Sequence, residues 1–248
     1  MLFRSWKDNA LYSQTEKGVN RLCNYVLDDF LYCDMIHSGE WYALRSGGCI
    51  KISRDLKNWQ EIYNGKRGIR QSMVFIGEDS NLQLLFIEYS PGRAHYRHSV
   101  LCYSISTNEI KPIETFYTKE EHINNGLSPF ARHIHTISKD PYTGDVYVGT
   151  GDSDDESGIY VLKNGEKHFS TFLKGSQNYR TLSFIFSEDS IFWNTDTHEP
   201  QFLYRCNRVT KIIDRFAMVN GALWCTELYP HKINGSNFYI MSSNSEGA

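Results

Sequence analysis

An internal repeat constrains the fold of this chain more than any other feature of its sequence. Similar units recur at intervals of about 40–60 residues, which is close to the period of a four-stranded blade. Each unit has an inner strand, a second strand, a polar loop, a third strand, a turn rich in Asn, Asp, Gly or Lys, and a final strand. The second strands begin at Trp41, Leu84, Val146 and Ile191. The pattern predicts a row of four-stranded antiparallel sheets.

A fifth unit stops early, and the start of the chain contains the strands that it lacks. "GALWCTEL" and "NFYIMSSNSEGA" supply an inner and a second strand, whereas Leu2–Trp6 and Ala10–Thr15 have the pattern of a third and a fourth strand. Pairing these segments would close a ring and remove exposed sheet edges. We therefore expect an all-β fold, a five-bladed β-propeller in one domain, residues 1–248. Its blades would span approximately residues 23–64, 70–118, 132–174, 180–216, and 219–248 plus 1–18.

Two other architectures fit the same strands. One is an irregular β-sandwich. The other is an incomplete six-bladed propeller, in which one blade is missing because the sequence is part of a longer product. The propeller of five blades is preferred because five units account for all 248 residues without a linker.

Composition excludes some classes of partner. The net charge of -3 gives the chain no electrostatic drive toward nucleic acid or an anionic membrane surface. It has no run of about 18 apolar residues that would predict a membrane span. The first residues, "MLFRSWKDNA", contain no apolar signal region, so a cytoplasmic protein is expected, with a secreted form whose signal was removed as the alternative. The oligomeric state stays open.

Two segments resemble a known family. "SRDLKNW" (residues 53–59) is similar to the Asp-box, or BNR repeat, of sialidase-like propellers, although it is one residue shorter and lacks the glycine. The order His-x-His, Asp-Pro-Tyr-x-Gly-Asp, Thr-Gly-Asp, Gly-Ser-Gln-x-Tyr-Arg and Thr-Asp-Thr resembles uncharacterised BNR-type propellers that accompany bacterial polysaccharide genes. The resemblance implies a propeller, a carbohydrate context, and structural roles for Ser53, Asp55 and Trp59. Because the Phe-Arg-Ile-Pro motif of sialidases is absent, sialidase activity is not expected.

Strand order places several polar residues on one rim. In an antiparallel blade, the first strand begins on the face where the second strand ends. The starts of the first strands and the loops between the second and third strands therefore converge on one rim. His133 and His135, two apart on a strand, should point to the same side. The candidate catalytic residues are His133, His135, Asp152 and Asp196. The candidate substrate-binding residues are Arg70, Arg132, Gln177, Tyr179 and Arg180.

Three kinds of chemistry fit these residues. Asp152 and Asp196 could act as acid and base on a glycosidic bond if their pKa values differ. A neutral His133 or His135 could instead remove a proton from a uronic acid whose carboxylate Arg180 binds, which is β-elimination. No cofactor is expected, but a divalent metal held by the two histidines and an aspartate is a third hypothesis.

The sequence therefore predicts a glycoside hydrolase or polysaccharide lyase that acts on an acidic or bacterial glycan in the mouth of the ring. The alternative is a propeller that binds a glycan or a protein without chemistry. The rim residues differ from blade to blade, which favours one unique site over several equivalent ones.

Overall fold

A computed structural model of the chain describes residues 2–5, 10–15, 18–24, 33–66, 68, 72–89, 96–197, 200–219, 222–224, 231–233, 236–238 and 242–244. The chain divides into two compact units, Met1–Gly68 and Ile69–Ala248. Both units are built from antiparallel strands, and the described residues contain one α-helix, α1 (Lys119–Asn125). That helix begins with a capping box between Thr118 and Glu121.

The first unit contains two sheets. The three-stranded sheet consists of β1 (Leu2–Ser5), β2 (Ala10–Thr15) and β3 (Gly18–Asn24). The four-stranded sheet consists of β4 (Cys33–Ser38), β5 (Trp41–Ser46), β6 (Cys49–Ser53) and β7 (Gln60–Asn64). Gly18–Asn24 pairs with β2, and the first strand of the four-stranded sheet is Cys33–Ser38; the approximate bounds of the blades stay a prediction. The closure of the last blade by β1 and β2 stays a prediction.

The turn between β6 and β7 is capped by one aspartate. Asp55 Oδ1 accepts hydrogen bonds from the backbone N–H groups of Lys57 and Asn58, both at 2.8 Å. The Asn58 amide donates to the other carboxylate oxygen at 2.7 Å, and the indole N–H of Trp59 donates to the Leu56 carbonyl. Backbone N–H groups stabilise the ionised carboxylate, so they hold the pKa of Asp55 well below its usual range. These bonds give Asp55 and Trp59 a structural role in this turn.

The second unit contains three four-stranded sheets that follow one another along the chain. Their strands are β8 (Met73–Ile76), β9 (Gln83–Ile87), β10 (His98–Ser104) and β11 (Glu109–Phe116); β12 (His133–Lys139), β13 (Val146–Gly151), β14 (Gly158–Leu162) and β15 (Ser170–Lys174); and β16 (Thr181–Phe186), β17 (Ser190–Thr195), β18 (Gln201–Asn207) and β19 (Ile213–Val219). Within each sheet, consecutive strands are neighbours. The prediction of four-stranded antiparallel sheets is confirmed for these three and for the sheet of β4–β7.

Burial falls from the first strands of a sheet to the last. Every residue of β13 and β14 is buried, whereas the final strands β15 and β19 contain only half-buried and exposed residues. The first strand β12 contacts both β8 and β16, so neighbouring sheets pack through their inner strands. This gradient explains why β13 and β14 are apolar on both faces. It is consistent with blades of a β-propeller; the number of blades stays a prediction.

Apolar side chains fill the spaces between neighbouring sheets of the second unit. One cluster joins the sheets of β8–β11 and β12–β15, with the rings of Phe116 and Tyr160 edge to face at 5.0 Å. The next cluster joins β12–β15 to β16–β19 around Tyr147, Phe184 and the fully buried Trp193. Aromatic rings thus pack on pleated surfaces, as the high aromatic content of the sequence favours.

The last residues form two short pairs. β20 (Ala222–Trp224) pairs with β23 (Ser242–Asn244), and β21 (His231–Ile233) pairs with β22 (Ser236–Phe238). The sequence predicted a second strand and its loop in "NFYIMSSNSEGA"; residues 236–238 pair with β21, and residues 242–244 pair with β20. No helix of the described residues is long and apolar enough to cross a membrane.

A buried ion pair closes the turn between β12 and β13. Asp140 is wholly buried, and its carboxylate accepts from the backbone N–H of Tyr142 at 2.9 Å and from Arg208 Nη1 at 2.5 Å. Arg208 also donates to the carbonyl of Ser187, at 3.0 Å. Since Arg208 follows β18, this turn is tied to the next sheet by a charge-assisted bond.

Candidate functional site

His133 and His135 open strand β12 at the end opposite to that turn. Both residues are buried, with 8% and 3% of their surface exposed. The register between β12 and β13 shifts after Ile134, so His135 has no directly opposite partner and lies in a β-bulge. Such bulges re-aim side chains. The imidazole rings lie 6.0 Å apart between centroids, and both face the same carboxylate.

That carboxylate belongs to Asp152, which directly follows β13. Asp152 Oδ2 lies 3.2 Å from His133 Nδ1, and Asp152 Oδ1 lies 3.5 Å from His135 Nε2. The guanidinium groups of Arg132 and Arg180 each approach it to 3.4 Å. Burial by itself raises the pKa of Asp152, but hydrogen bonds from His133 and His135 outweigh it and hold the pKa well below its usual range.

One ring nitrogen of each histidine has no hydrogen-bond partner among the described residues. These atoms are His133 Nε2 and His135 Nδ1, and both are buried. An ionised carboxylate only accepts hydrogen bonds, so a neutral histidine beside Asp152 places its N–H toward that carboxylate. The remaining nitrogen then carries a lone pair. Buried polar atoms without partners are rare, so two of them in adjacent rings require an explanation.

Arg180 joins two carboxylates from neighbouring sheets. Its Nη2 lies 3.0 Å from Asp196 Oδ2 and 3.4 Å from Asp152 Oδ1. The backbone N–H of Asp196 donates to the Arg180 carbonyl at 2.8 Å, and this bond fixes the loop between β17 and β18 against the start of β16. When both histidines are neutral, the positive charges of the two arginines equal the negative charges of Asp152 and Asp196, and the cluster has no net charge.

Gln177 and Tyr179 lie in the short 3₁₀ turn before Arg180, but their side chains are engaged with the protein. The Gln177 amide donates to the Asp152 carbonyl at 2.8 Å. Tyr179 packs against the apolar cluster around Trp193. Asn178, between them, accepts from the Trp193 indole and the Tyr204 hydroxyl, both at 2.8 Å. The turn is therefore a rigid support for Arg180, and sugar contact by Gln177 or Tyr179 stays a prediction.

The neighbouring sheet contributes two aromatic residues to the same site. The Tyr89 ring lies 4.9 Å from the His133 ring, and the fully buried His98 ring lies 6.3 Å from it on an edge. Sequence reasoning missed His98, although it opens a third strand, and third strands begin on the same rim as first strands. The site therefore draws on three consecutive sheets. Among the predicted site residues, Arg70 lies outside the described part of the chain.

Gly151 makes the close approach of these side chains sterically feasible. A Cβ atom at this position would lie 2.7 Å from His135 Cε1 and 2.8 Å from Arg180 Cγ. Both distances are too short for any residue with a side chain. The glycine of the Thr-Gly-Asp motif therefore has a packing role at the site.

The same three side chains could hold a metal ion. His133, His135 and Asp152 each offer one ligand atom, and these atoms lie within 4.8 Å of one another. Imidazole nitrogen and carboxylate oxygen are common ligands of zinc and related ions. The two imidazoles and the carboxylate fit such a role as well as they fit proton transfer.

Comparison with known proteins gives the fold and little more. No protein-family model matches the chain, and no curated protein matches it in sequence. Among solved structures, it is similar to an oligogalacturonate lyase from Vibrio parahaemolyticus (TM-score 0.55, 9% identity, covering 88% of this chain and 61% of that one). It is also similar to an oligogalacturonate lyase in complex with manganese (TM-score 0.54, 10% identity, 87% and 61%).

A prolyl endopeptidase structure has comparable similarity (TM-score 0.53, 12% identity, covering 89% of this chain and 34% of that one). The chain thus spans about three fifths of the length of the lyases. At these identities the likeness shows an all-β, propeller-like fold and no activity, because one fold hosts unrelated functions.

Proposed function

We propose that this cluster is the active site of a carbohydrate-active enzyme that cleaves an acidic glycan by β-elimination beside a uronic acid. The observation that carries the proposal is the pair of buried, unpartnered nitrogens, His133 Nε2 and His135 Nδ1, each on a ring whose other nitrogen faces Asp152. Such a nitrogen is a proton acceptor held ready in a site that excludes most water.

The elimination can be written with groups of this chain. His133 or His135 takes the proton from the carbon next to the uronate carboxylate. The electron pair of that C–H bond forms a carbon–carbon double bond, and the adjacent glycosidic C–O bond breaks. The imidazolium then gives its proton to the leaving oxygen, so the products are one unsaturated sugar end and one new hydroxyl, and the histidine is neutral again. Asp152 stabilises the imidazolium as it forms, as an aspartate beside a catalytic histidine does.

Arg132 and Arg180 are suited to hold the uronate carboxylate. A guanidinium binds a carboxylate through two parallel N–H donors, and it withdraws charge as the proton leaves. Both arginines already touch Asp152, with Arg180 touching Asp196 too, so a uronate would share donors with these residues. A neutral sugar would gain much less from the same two side chains.

Hydrolysis by the two aspartates is less well supported. A glycosidase needs one carboxyl group that stays protonated until it protonates the leaving oxygen. Asp152 lies among two guanidinium groups and two imidazoles, which favour its ionised form. Asp196 is paired with Arg180 at 3.0 Å. Neither carboxylate has the apolar surroundings that keep an acid protonated.

A divalent ion is the competing use of the same groups. Held by His133, His135 and Asp152, it would act as a Lewis acid toward an oxygen of the substrate. An oligogalacturonate lyase in complex with manganese has a similar fold, and the similarity to this chain extends to the fold alone. The two arginines near Asp152 oppose such an ion electrostatically, so we place the proton-transfer role first.

The test is to incubate the protein with uronate-containing oligosaccharides and to follow the ultraviolet absorbance of the unsaturated product. Turnover should fall by about 10²–10⁴-fold in His135→Ala and also fall strongly in Arg180→Ala. It should persist in two controls, His168→Ala, an exposed histidine, and Arg205→Ala, which removes a partly exposed pair with Asp214. Saccharide binding without any product would instead support the non-catalytic binding alternative.

A further inference from the structure

We infer that His133, His135 and Asp152 bind a divalent transition-metal ion, and that the bound ion blocks the proton transfer proposed above. The first half, metal binding, stands on the geometry of the cluster alone. The second half, inhibition, rests on the proposed function. The ion would therefore act as a regulator of the site, and the site would be active when metal-free.

The geometry gives three converging donors in a buried place. One ligand atom from each residue lies within 4.8 Å of the other two. The His133 and His135 side chains are only 10% and 4% exposed, and the Asp152 side chain is 22% exposed. A bound ion would thus be largely shielded, with one open side toward Asp152.

A second observation also points to a ligand. His133 Nε2 and His135 Nδ1 are buried and have no hydrogen-bond partner among the described residues. An imidazole coordinates a metal through one nitrogen and carries its proton on the other, where it usually donates a hydrogen bond. In each ring the nitrogen that faces Asp152 can bind the ion together with that carboxylate, and the unpartnered nitrogen then carries the ring proton.

The donor set selects the class of ion. Two imidazoles and one carboxylate suit zinc, cobalt and their neighbours, which accept nitrogen and oxygen ligands. Calcium and magnesium prefer all-oxygen sites. Three protein ligands leave at least one coordination position open, as in metal sites that exchange water or an anionic group.

Charged side chains near the site change its affinity for the divalent ion in a predictable direction. Arg132 and Arg180 lie 3.4 Å from Asp152, and a positive charge at this distance repels a divalent ion. Asp196 compensates for Arg180, whose Nη2 it contacts at 3.0 Å. Removal of a positive charge beside Asp152 should strengthen metal binding, so we expect Arg132→Gln to bind the ion more tightly than the wild type.

The ion and the proton acceptor exclude each other for a simple reason. A histidine that ligates through either nitrogen has no lone pair left, because the other nitrogen carries the proton. Metal occupancy of His133 and His135 therefore removes both candidate bases at once. Zinc should slow the elimination, and a chelator should restore it.

The experiment begins without any glycan. Isothermal titration with Zn²⁺, and the visible spectrum with Co²⁺, are measured on the wild type, His133→Ala, His135→Ala and Asp152→Asn, with His168→Ala as control. We expect about one ion per chain, with affinity reduced about 10–100-fold or more in the three site variants and unchanged in the control. Equal binding by the control and the site variants, or no binding at all, would overturn the inference.

Turnover on a uronate oligosaccharide then separates the two claims. If zinc binds at these residues and inhibits, both the inference and the proposed base stand. If zinc binds there and accelerates turnover, the metal site stands, while its inhibitory role and the histidine base are wrong. If no metal binds but the chelated protein is active, the inference fails and the proposed function survives. If metal binds but no uronate is cleaved, the site stands and the proposed function and the inhibitory role fail.

Discussion

The two ends of the hairpin formed by β12 and β13 are built from the same residue types but in opposite ways. At the turn, Asp140 is wholly buried and meets a backbone N–H and the Arg208 guanidinium at 2.5 Å. At the open end, Asp152 meets two histidines and two arginines at 3.2–3.5 Å, and a nitrogen of each histidine is left without a partner among the described residues. The turn end has one short ion pair, whereas the open end has several loose contacts.

This difference separates structure from chemistry within one motif. A buried charge in a short, specific pair stabilises the arrangement that holds it, and breaking the pair leaves an uncompensated charge. A set of longer contacts with unfilled donors and acceptors is a poor contributor to stability but a good receptor for a ligand. Substitutions at the two ends should therefore have opposite effects on turnover and on stability.

The largest expected effect belongs to the open end. His135→Ala should reduce turnover by about 10²–10⁴-fold, because it removes one of the two proton acceptors and leaves the other in an altered bulge. The free energy of unfolding should change little. Steady-state kinetics and denaturant unfolding on the same preparation measure both. A large loss of stability without loss of turnover would show that the role of His135 is structural and not catalytic.

The turn end should show the reverse. Asp140→Ala leaves the Arg208 guanidinium, whose side chain is only 13% exposed, without its carboxylate, so we expect a loss of about 3 kcal/mol in the free energy of unfolding. Turnover per folded molecule should remain close to wild type. Denaturant titration at several protein concentrations, followed by kinetics under conditions where the variant is folded, tests this. A stability within about 0.5 kcal/mol of wild type would remove the contrast between the two ends.

Gly151→Ala should affect the site through crowding. The added Cβ would meet His135 Cε1 at 2.7 Å, and the ring cannot yield without moving away from Asp152. We expect turnover to fall by about 10²-fold, since a displacement of about 1 Å at a reacting group costs that much. Combining Gly151→Ala with His135→Ala removes the clash with the ring but leaves the one with Arg180 Cγ at 2.8 Å, so the double variant should lose less turnover than the two single losses combined. Fully additive losses would contradict this explanation.

The smallest expected effect concerns Asp145, near the turn. Its carboxylate accepts from Lys163 at 2.7 Å and from the backbone N–H of Asn164 at 2.9 Å. Burial alone raises the pKa of Asp145, but these bonds outweigh it and lower the pKa. A lowered pKa stabilises the fold above the unfolded-state value and loses this contribution as the pH falls through the folded-state value.

Asp145→Asn should therefore cost about 1 kcal/mol at neutral pH, reduced by the exposure of Lys163. The difference from wild type should shrink as the pH is lowered below about 4. Urea unfolding at a series of pH values measures it. A difference that grows in acid would show that the sign is wrong.

Much of this architecture is predictable from alternation and strand order. The period-2 runs gave the sheets of the second unit, and strand order placed His133, Asp152, Arg180 and Asp196 on one rim. These features depend on local pattern and chain direction, which a sequence carries directly.

Other features depend on tertiary packing that no local pattern encodes. The bulge at His135 arises from a register shift between two strands, and the pair of Asp140 with Arg208 joins residues 68 positions apart. Tyr179 turns toward the apolar cluster around Trp193, although its position beside Arg180 favoured a sugar contact. Gly18–Asn24 pairs with β2, and the first four-stranded sheet begins at Cys33. Each of these was decided by competition between partners.

The central claim is that the open end of the hairpin performs elimination on an acidic glycan, and one measurement addresses it most directly. The chelated protein is incubated with uronate oligosaccharides in ¹⁸O-labelled water, and the products are weighed by mass spectrometry. The account predicts an unsaturated uronate fragment that is lighter by one water than the corresponding hydrolysis product, and that is absent in His135→Ala. Saturated fragments that have gained one labelled water would show hydrolysis and contradict it.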